Sequence, residues 1–327
     1  MEVECSFSNL KLKYDRLQKG GFFIANIQSI MYYNEDTIVY YKGQFIKAVE
    51  ARGNVYDQSL HYGYAVFEGI RSYHTEKGVQ IFKAKEHFDR LRFSAEAVSI
   101  PYHWSTEELT AISYEVLQRN NLKDGYLRPL VSCAPNMSLT KPKQSELLIA
   151  AWAWPALLGE KLLKLKTSSY RRISPASFKV EAKVSGHYVN SILASQEARD
   201  LGYDEALLLD INGYAAEGPG SNLFIEKDRV LYTPQLGSIL PGITRATIIE
   251  LAHELGIEII EKQLTLQEVY NANSAFYCGT AAEVVGIGSL DDKAFPKPWK
   301  ESLGATLQKV YKNLVLQKEY RTIEKIA

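Results

Sequence analysis

Apolar residues recur along the chain in two rhythms, one of period two and one of helical period, and the switches between them divide it into elements. The run Ile38-Val39-Tyr40-Tyr41 leads through Lys42-Gly43 into Gln44-Phe45-Ile46, the pattern of a β-hairpin turning at Lys42-Gly43. Short strands are predicted at 65–67 and 79–82, after which Phe88, Leu91, Ala95 and Val98 recur at helical spacing. Ser105-Thr106-Glu107-Glu108 has the form of a capping box, opening a helix that buries Leu109, Ile112 and Val116 and closes at Asn120-Asn121. Strands resume at 126–132 and 146–152. The second is so nearly continuous in apolar residues that it belongs at the centre of a sheet.

The pattern breaks over 153–159, and a domain boundary is placed there, giving a smaller N-terminal domain (1–156, with an extension over about 1–35) and a larger C-terminal one (157–327). Beyond it come a strand near 163–168 and a helix that begins at Lys183 and stops at Gly202. A strand over 205–210 is followed by an Asn212-Gly213 hairpin turn and strands at 214–216 and 222–226. A helix over 245–255 ends at Gly256, and Thr265-Leu266-Gln267-Glu268 is a second capping box. A strand at 275–278 and a final helix striped by Leu303, Leu307, Val310 and Leu314 complete the chain. Strands cluster as hairpins with helices interspersed, which predicts an α+β architecture rather than a doubly wound parallel sheet.

Composition removes several classes of function. Lysine and arginine together number 38, as do aspartate and glutamate, so no global field draws the chain to nucleic acid or an anionic membrane. The three cysteines, Cys5, Cys133 and Cys278, have no paired spacing that suggests disulfides or zinc, and the six histidines show no metal-ligand spacing, so no metal is expected. With no signal-peptide pattern at the start and no apolar run of membrane-spanning length, the expected location is the cytoplasm.

Against that background one lysine stands out. Lys183 sits in Ala182-Lys183-Val184-Ser185-Gly186, among small and uncharged neighbours. An amine stripped of water gives up its proton more readily and becomes nucleophilic toward carbonyl carbon. Taken alone the stretch fits a solvated lysine at a helix start equally well. Glu217 precedes Gly218-Pro219-Gly220, where a ligand can approach the backbone closely, and its carboxylate there suits a protonated pyridine nitrogen or simply solvent. Ile239-Leu240-Pro241-Gly242-Ile243-Thr244 and Cys278-Gly279-Thr280-Ala281-Ala282-Glu283 both read as anion-binding turns at helix N-termini. Arg128, inside a strand, needs either a substrate carboxylate or a structural partner. Two anion sites, an amine and a glutamate together point to a phosphorylated cofactor that carries an aldehyde.

The strings HYGYAVFEGIR (61–71), IFKAKEHFDRL (81–91), GYLRPL (125–130), AKVSGHYVNS (182–191), the stretch 202–224, LPGITR (240–245) and CGTAAE (278–283) carry a resemblance. In this order and spacing the chain resembles the class IV (fold type IV) pyridoxal-phosphate aminotransferases, and among them most closely the branched-chain amino acid aminotransferases. The resemblance spans about Val39 to Ile287 and implies a two-domain fold of the D-amino acid aminotransferase type with the active site between the domains. It implies that Lys183 carries pyridoxal 5′-phosphate as a Schiff base and shuttles the substrate proton, with Glu217 at the pyridine nitrogen and Tyr188 at the phenolic oxygen. Leu240, Gly242, Ile243, Thr244, Thr280 and Lys83 are implied on the cofactor side, Lys83 standing where the family commonly has an arginine for the phosphate. Tyr62, Phe67, Gly69, Tyr126, Arg128, Thr280 and Ala281 are implied on the substrate side.

The reaction so implied moves an amino group from L-leucine, isoleucine or valine to 2-oxoglutarate by a ping-pong route, in a homodimer that builds its pocket across the interface. Ser221, His187 and Leu157 stand where a glutamate, an asparagine and a tyrosine are usual. Those departures leave two other readings open. One is another fold type IV reaction, D-amino acid transamination or aminodeoxychorismate cleavage; the other is a cofactor-binding protein without turnover.

Overall fold

The computed structural model describes residues 32–154 and 161–318. The 156/157 boundary, Leu157, Cys5 and most of the N-terminal extension lie outside the described residues.

Two sheets organise the described residues. The first runs in the order Gln44–Lys47, Ile38–Tyr41, Ser145–Trp152, Tyr126–Cys133, Ile70–Thr75, Gly78–Ile81, with Ala65–Phe67 also paired to Tyr126–Cys133. All its pairings are antiparallel. The expected hairpin is present, and its turn places Lys42 and Gly43 at φ 51° and 87°, a conformation glycine adopts without steric penalty. Ser145–Trp152 is paired on both edges, as its apolar run predicts. The helices Ala84–Ala97 and Thr106–Arg119 cover one face through Phe88, Leu91, Leu109 and Val116, which join Leu127, Val131 and Ile149 of the sheet in one core. Ser105 accepts the Glu108 N–H at 3.0 Å and so satisfies one free donor of its helix.

Among the described residues the second sheet has ten strands, mostly antiparallel, with parallel pairings between Glu283–Leu290 and Leu163–Arg171, between Leu163–Arg171 and Glu205–Leu209, and between Val230–Pro234 and Ile259–Lys262. In Ser221–Lys227 six consecutive residues are buried. Successive side chains point to opposite faces, so both faces must be covered. Leu223 and Ile225 enter one core, while Phe224 enters another with the helices Ile243–Glu254 and Leu303–Val315. There Phe224 stacks on Phe276, ring centroids 4.9 Å apart. The Thr265–Glu268 box closes in both directions. The architecture is α+β, and among the described residues no helix is long and apolar enough to cross a membrane.

Two local expectations fail. The helix predicted from Lys183 starts later: Lys183 lies outside any regular element, Val184 is extended and forms an isolated bridge with Val66, and the regular helix is Tyr188–Asp200. The turn at Gly279–Glu283 joins two antiparallel strands, Ser274–Gly279 and Glu283–Leu290, and is not a helix N-terminus. A short apolar run after a turn has no period long enough to tell strand from helix.

Candidate active site

Elements of both sheets meet around a cavity of about 470 Å3, within the range of small-molecule sites. Lys183 reaches it because its backbone is held from the first sheet's side. Ser94 Oγ accepts the Lys183 N–H at 3.0 Å, and the Phe67 N–H donates to the Lys183 carbonyl at 3.1 Å. The Lys183 Nζ donates to the Tyr188 hydroxyl at 2.6 Å and lies 5.0 Å from the Phe67 ring centroid.

Facing this amine is a buried carboxylate. Glu217 Oε1 accepts from Arg172 Nε at 2.5 Å, Oε2 accepts from Asn222 Nδ2 at 3.0 Å, and the Leu240 N–H reaches Oε1 at 3.1 Å. Burial pushes the Glu217 pKa up, opposed by Arg172 and the Leu240 N–H, which favour the ion. The same Asn222 amide donates to the Leu240 carbonyl at 3.0 Å, so one side chain ties the glutamate to the turn before the next helix.

That turn delivers Gly242 as the N-cap of the Ile243–Glu254 helix, whose first N–H groups and Thr244 border the cavity. An anion is favoured at such a helix end. Gly242 also leaves no room for a side chain, since a Cβ there would lie 2.0 Å from Asn222 Oδ1. Arg90 adds a guanidinium to this end, bonded through one terminal nitrogen to the Pro241 carbonyl at 2.9 Å.

At the opposite wall Tyr126 and Arg128 point the same way from one strand, two residues apart. The Arg128 guanidinium donates to the Tyr126 hydroxyl at 3.3 Å and lies over the Phe67 ring at 4.7 Å, while its Nε is buried without a protein partner. Thr280 and Ala281 are held by Arg71, whose Nε and a terminal nitrogen donate to their carbonyls, each at 2.9 Å. Gly69 lies so close to Tyr126 that a Cβ would be 1.9 Å from the phenolic oxygen.

The structure thus brings Lys183, Tyr188, Glu217, Leu240, Gly242, Ile243 and Thr244 to the cavity. Phe67, Gly69, Tyr126, Arg128, Thr280 and Ala281 line it too. Lys83 and Tyr62 do not. Lys83 precedes the Ala84–Ala97 helix and pairs with Glu250 at 2.9 Å and Glu86 at 3.8 Å, so its charge is spent at the surface. The cation of this segment that borders the cavity is Arg90, seven residues further along IFKAKEHFDRL. Lys83 is the N-cap of the Ala84–Ala97 helix, at φ 48°, and its alignment with the family's arginine carried no information on where its side chain goes. Tyr62 is exposed and donates to the Met137 carbonyl at 3.1 Å.

Arg172, Asn222, Ser94 and Trp154 were also missed. Arg172, Ser94 and Trp154 act through contacts between segments far apart in sequence, whereas Asn222 lies five residues from Glu217 and its GSNLF string offered a signal. Ser221 and His187 are both buried here, His187 with Nδ1 unpartnered and its ring edge-on to Phe178.

The donor set fits a phosphorylated pyridine aldehyde: an amine beside a phenol, a buried carboxylate opposite, and a helix end with a guanidinium at the remaining side. A family model described as amino-transferase class IV matches residues 65–290. A branched-chain-amino-acid aminotransferase of Pseudomonas aeruginosa is 40% identical over 303 residues, 89% of this chain and 99% of that protein. The crystal structure of the Escherichia coli branched-chain amino acid aminotransferase superposes with a TM-score of 0.84 at 36% identity, covering 89% of this chain and 98% of that one. The branched-chain amino acid aminotransferase from Thermobaculum terrenum, solved in its PLP-form (holo-form), gives 0.82 at 31% identity, covering 88% and 97%.

Proposed function

The chain belongs to the class IV amino-transferases, and from that premise we propose that it is a branched-chain amino acid transaminase dependent on pyridoxal 5′-phosphate. It exchanges the amino group of L-leucine, isoleucine or valine with 2-oxoglutarate. The observation that carries this reading is the Lys183 amine, 2.6 Å from the Tyr188 hydroxyl, in one cavity with the ionisable Glu217 and the Gly242–Thr244 helix end.

When bound, pyridoxal phosphate supplies a carbonyl for the amine and an electron sink for the substrate Cα. Lys183 would hold the cofactor covalently and, once released, carry the proton between the substrate Cα and the cofactor. Tyr188 steadies that amine and would hold the ring's phenolic oxygen. Glu217, kept in place by Arg172 and Asn222, would keep the ring nitrogen protonated. The Ile243 and Thr244 end of the helix, with Arg90 and Thr280, would receive the phosphate. Tyr126, Arg128 and the turn at Thr280-Ala281 form the wall a substrate carboxylate would meet, and Phe67 and Trp154 border the space left for an aliphatic side chain.

The same reading takes each sheet as the centre of one domain, 1–156 and 157–327, and the working unit as a cytoplasmic homodimer. Supporting the dimer, Leu60, Tyr62, Met137 and Leu139 are all exposed. Their segments are tied together, Gln58 Nε2 donating to the Ser138 and Thr140 carbonyls at 3.2 and 2.9 Å. We place Tyr62 in that interface. The two described cysteines, Cys133 and Cys278, are buried and free, which suits a reducing compartment.

The test is the absorption spectrum of the purified protein with pyridoxal phosphate. A visible band that L-leucine bleaches and 2-oxoglutarate restores is the expected result. A band indifferent to L-leucine but bleached by D-alanine would replace the substrate class, and a protein that never acquires the band would sink the reading.

A further inference from the structure

Glu68 takes no part in the chemistry described above, yet it is fully buried beside the cavity. Its carboxylate is saturated by donors. Oε1 accepts from Arg90 Nε at 2.6 Å, and Oε2 accepts from an Arg90 terminal nitrogen at 2.9 Å and from the Gly69 N–H at 3.2 Å. His87 Nδ1 lies 2.7 Å from the same Oε2. An ionised carboxylate only accepts, so that nitrogen carries the proton.

The charges are well defined. Burial opposes ionisation of Glu68, but Arg90 and His87 outweigh it and hold the pKa far below the ordinary carboxylate range. Burial also lowers the His87 pKa, against the pull of Glu68, so the imidazole stays neutral at physiological pH. Glu68 and Arg90 thus form a bidentate ion pair whose orientation is fixed at both ends, by His87 and Gly69 behind the carboxylate and by the Pro241 carbonyl on the guanidinium. Three of the five N–H groups of Arg90 are engaged in these bonds, which leaves two for a ligand.

We propose that Glu68 is a positioning residue for the cofactor phosphate. Clamped with His87 onto Arg90, it holds the guanidinium at the Pro241-Gly242 turn in the orientation an incoming phosphate needs. This rests on the pyridoxal phosphate reading above. It gives the glutamate of the FEGIR stretch and the histidine of KEHFDR a common role. A guanidinium without this clamp would have to be ordered by the ligand itself, at a cost in affinity.

The experiment compares two probes on full-length apoprotein, pyridoxal 5′-phosphate and pyridoxal, which differ only in the phosphate. Dissociation constants are measured for wild type, Glu68→Gln, Arg90→Lys and the double variant, with the 31P resonance of the bound cofactor as a second readout. Glu68→Gln should weaken pyridoxal phosphate by roughly tenfold or more, shift the 31P resonance and leave pyridoxal unchanged. In the Arg90→Lys background the same change should have little further effect. Equal losses for both probes, or no loss, would overturn the proposal, because a merely structural glutamate has no reason to sense the phosphate. Should Glu68→Gln fail to fold, His87→Phe takes its place, with the same phosphate-selective loss expected and an unchanged probe ratio overturning the proposal. A wild-type protein that binds neither probe would instead refute the cofactor reading itself.

Discussion

Arg172 and Glu217 meet at 2.5 Å with both side chains more than nine-tenths buried, and the pair stands at the wall of the cavity that also holds Lys183. Burial disfavours the Glu217 ion, and the guanidinium is the foremost of the groups that favour it. Arg172→Met should remove that support, cost about 3–5 kcal/mol in stability for the uncompensated charge, and lower kcat by roughly a hundredfold. Urea unfolding and steady-state kinetics with L-leucine check both. A variant with wild-type kcat would show that Glu217 needs no counter-ion.

His187 gives a pH dependence of definite sign. Burial, with help from nearby Arg172, pushes its pKa down to about 4. The unfolded chain therefore binds this proton more tightly than the folded one. The associated stability is fully present above the ordinary histidine range near 6.5 and is lost as pH falls toward 4. In His187→Asn the loss of stability between pH 7 and 4 should be smaller than in wild type. Thermal melts across that range make the comparison, and parallel curves for the two proteins would contradict the assignment.

Gly69→Ala puts a methyl group where the Tyr126 hydroxyl now lies. The tyrosine must move, at about 1–3 kcal/mol for overpacking, and its bond with Arg128 goes with it. The expected signature is a rise in KM for L-leucine with little change in the cofactor's visible spectrum. An unaltered KM would mean that the Tyr126 wall does not face substrate.

Lys83→Met tests the residue that the family resemblance places at the phosphate. Its ion pair with Glu250 is partly exposed and contributes on the order of 0–1 kcal/mol. Cofactor affinity should stay within about twofold of wild type, whereas Arg90→Lys should weaken it. Titration of the apoproteins with pyridoxal phosphate separates the two.

The proposed interface can be charged directly. Leu60 and Leu139 are 68% and 87% exposed, so Leu60→Asp with Leu139→Asp introduces no strain into an isolated chain. Light scattering should report a dimer for wild type and a monomer for the double variant. A dimer that survives both changes would locate the interface elsewhere.

What the sequence made legible were features encoded locally. The Lys42-Gly43 turn, the Thr265–Glu268 box and the helix opening at Gly242 depend on a few adjacent residues, and each is found in place. Lys183 and Glu217 were legible because small residues and glycines surround them. Arg172, Ser94 and Glu68 were not, since their roles exist only once distant segments meet: Arg172 on Glu217, Ser94 on the Lys183 backbone, Glu68 on Arg90. Lys83 came from its alignment with the family's arginine, and an alignment shows the place of a residue but not the direction of its side chain.

The bridge between Val66 and Val184 has a consequence for how the stretch before Lys183 can change. Arg172 is pinned at one end by Glu217, and Lys183 at the other by Ser94 and Phe67. Val184 itself is extended, and in a paired strand a slip of one residue sends a side chain to the opposite face. A slip in the pairing of Val184 with Val66 would therefore turn the neighbouring amine away from the cavity, whereas the turns over 175–182 can absorb a change in length. Activity depends on that register and not on the length of the loop that leads to it, and an alignment that scored only residue identity would not register its loss.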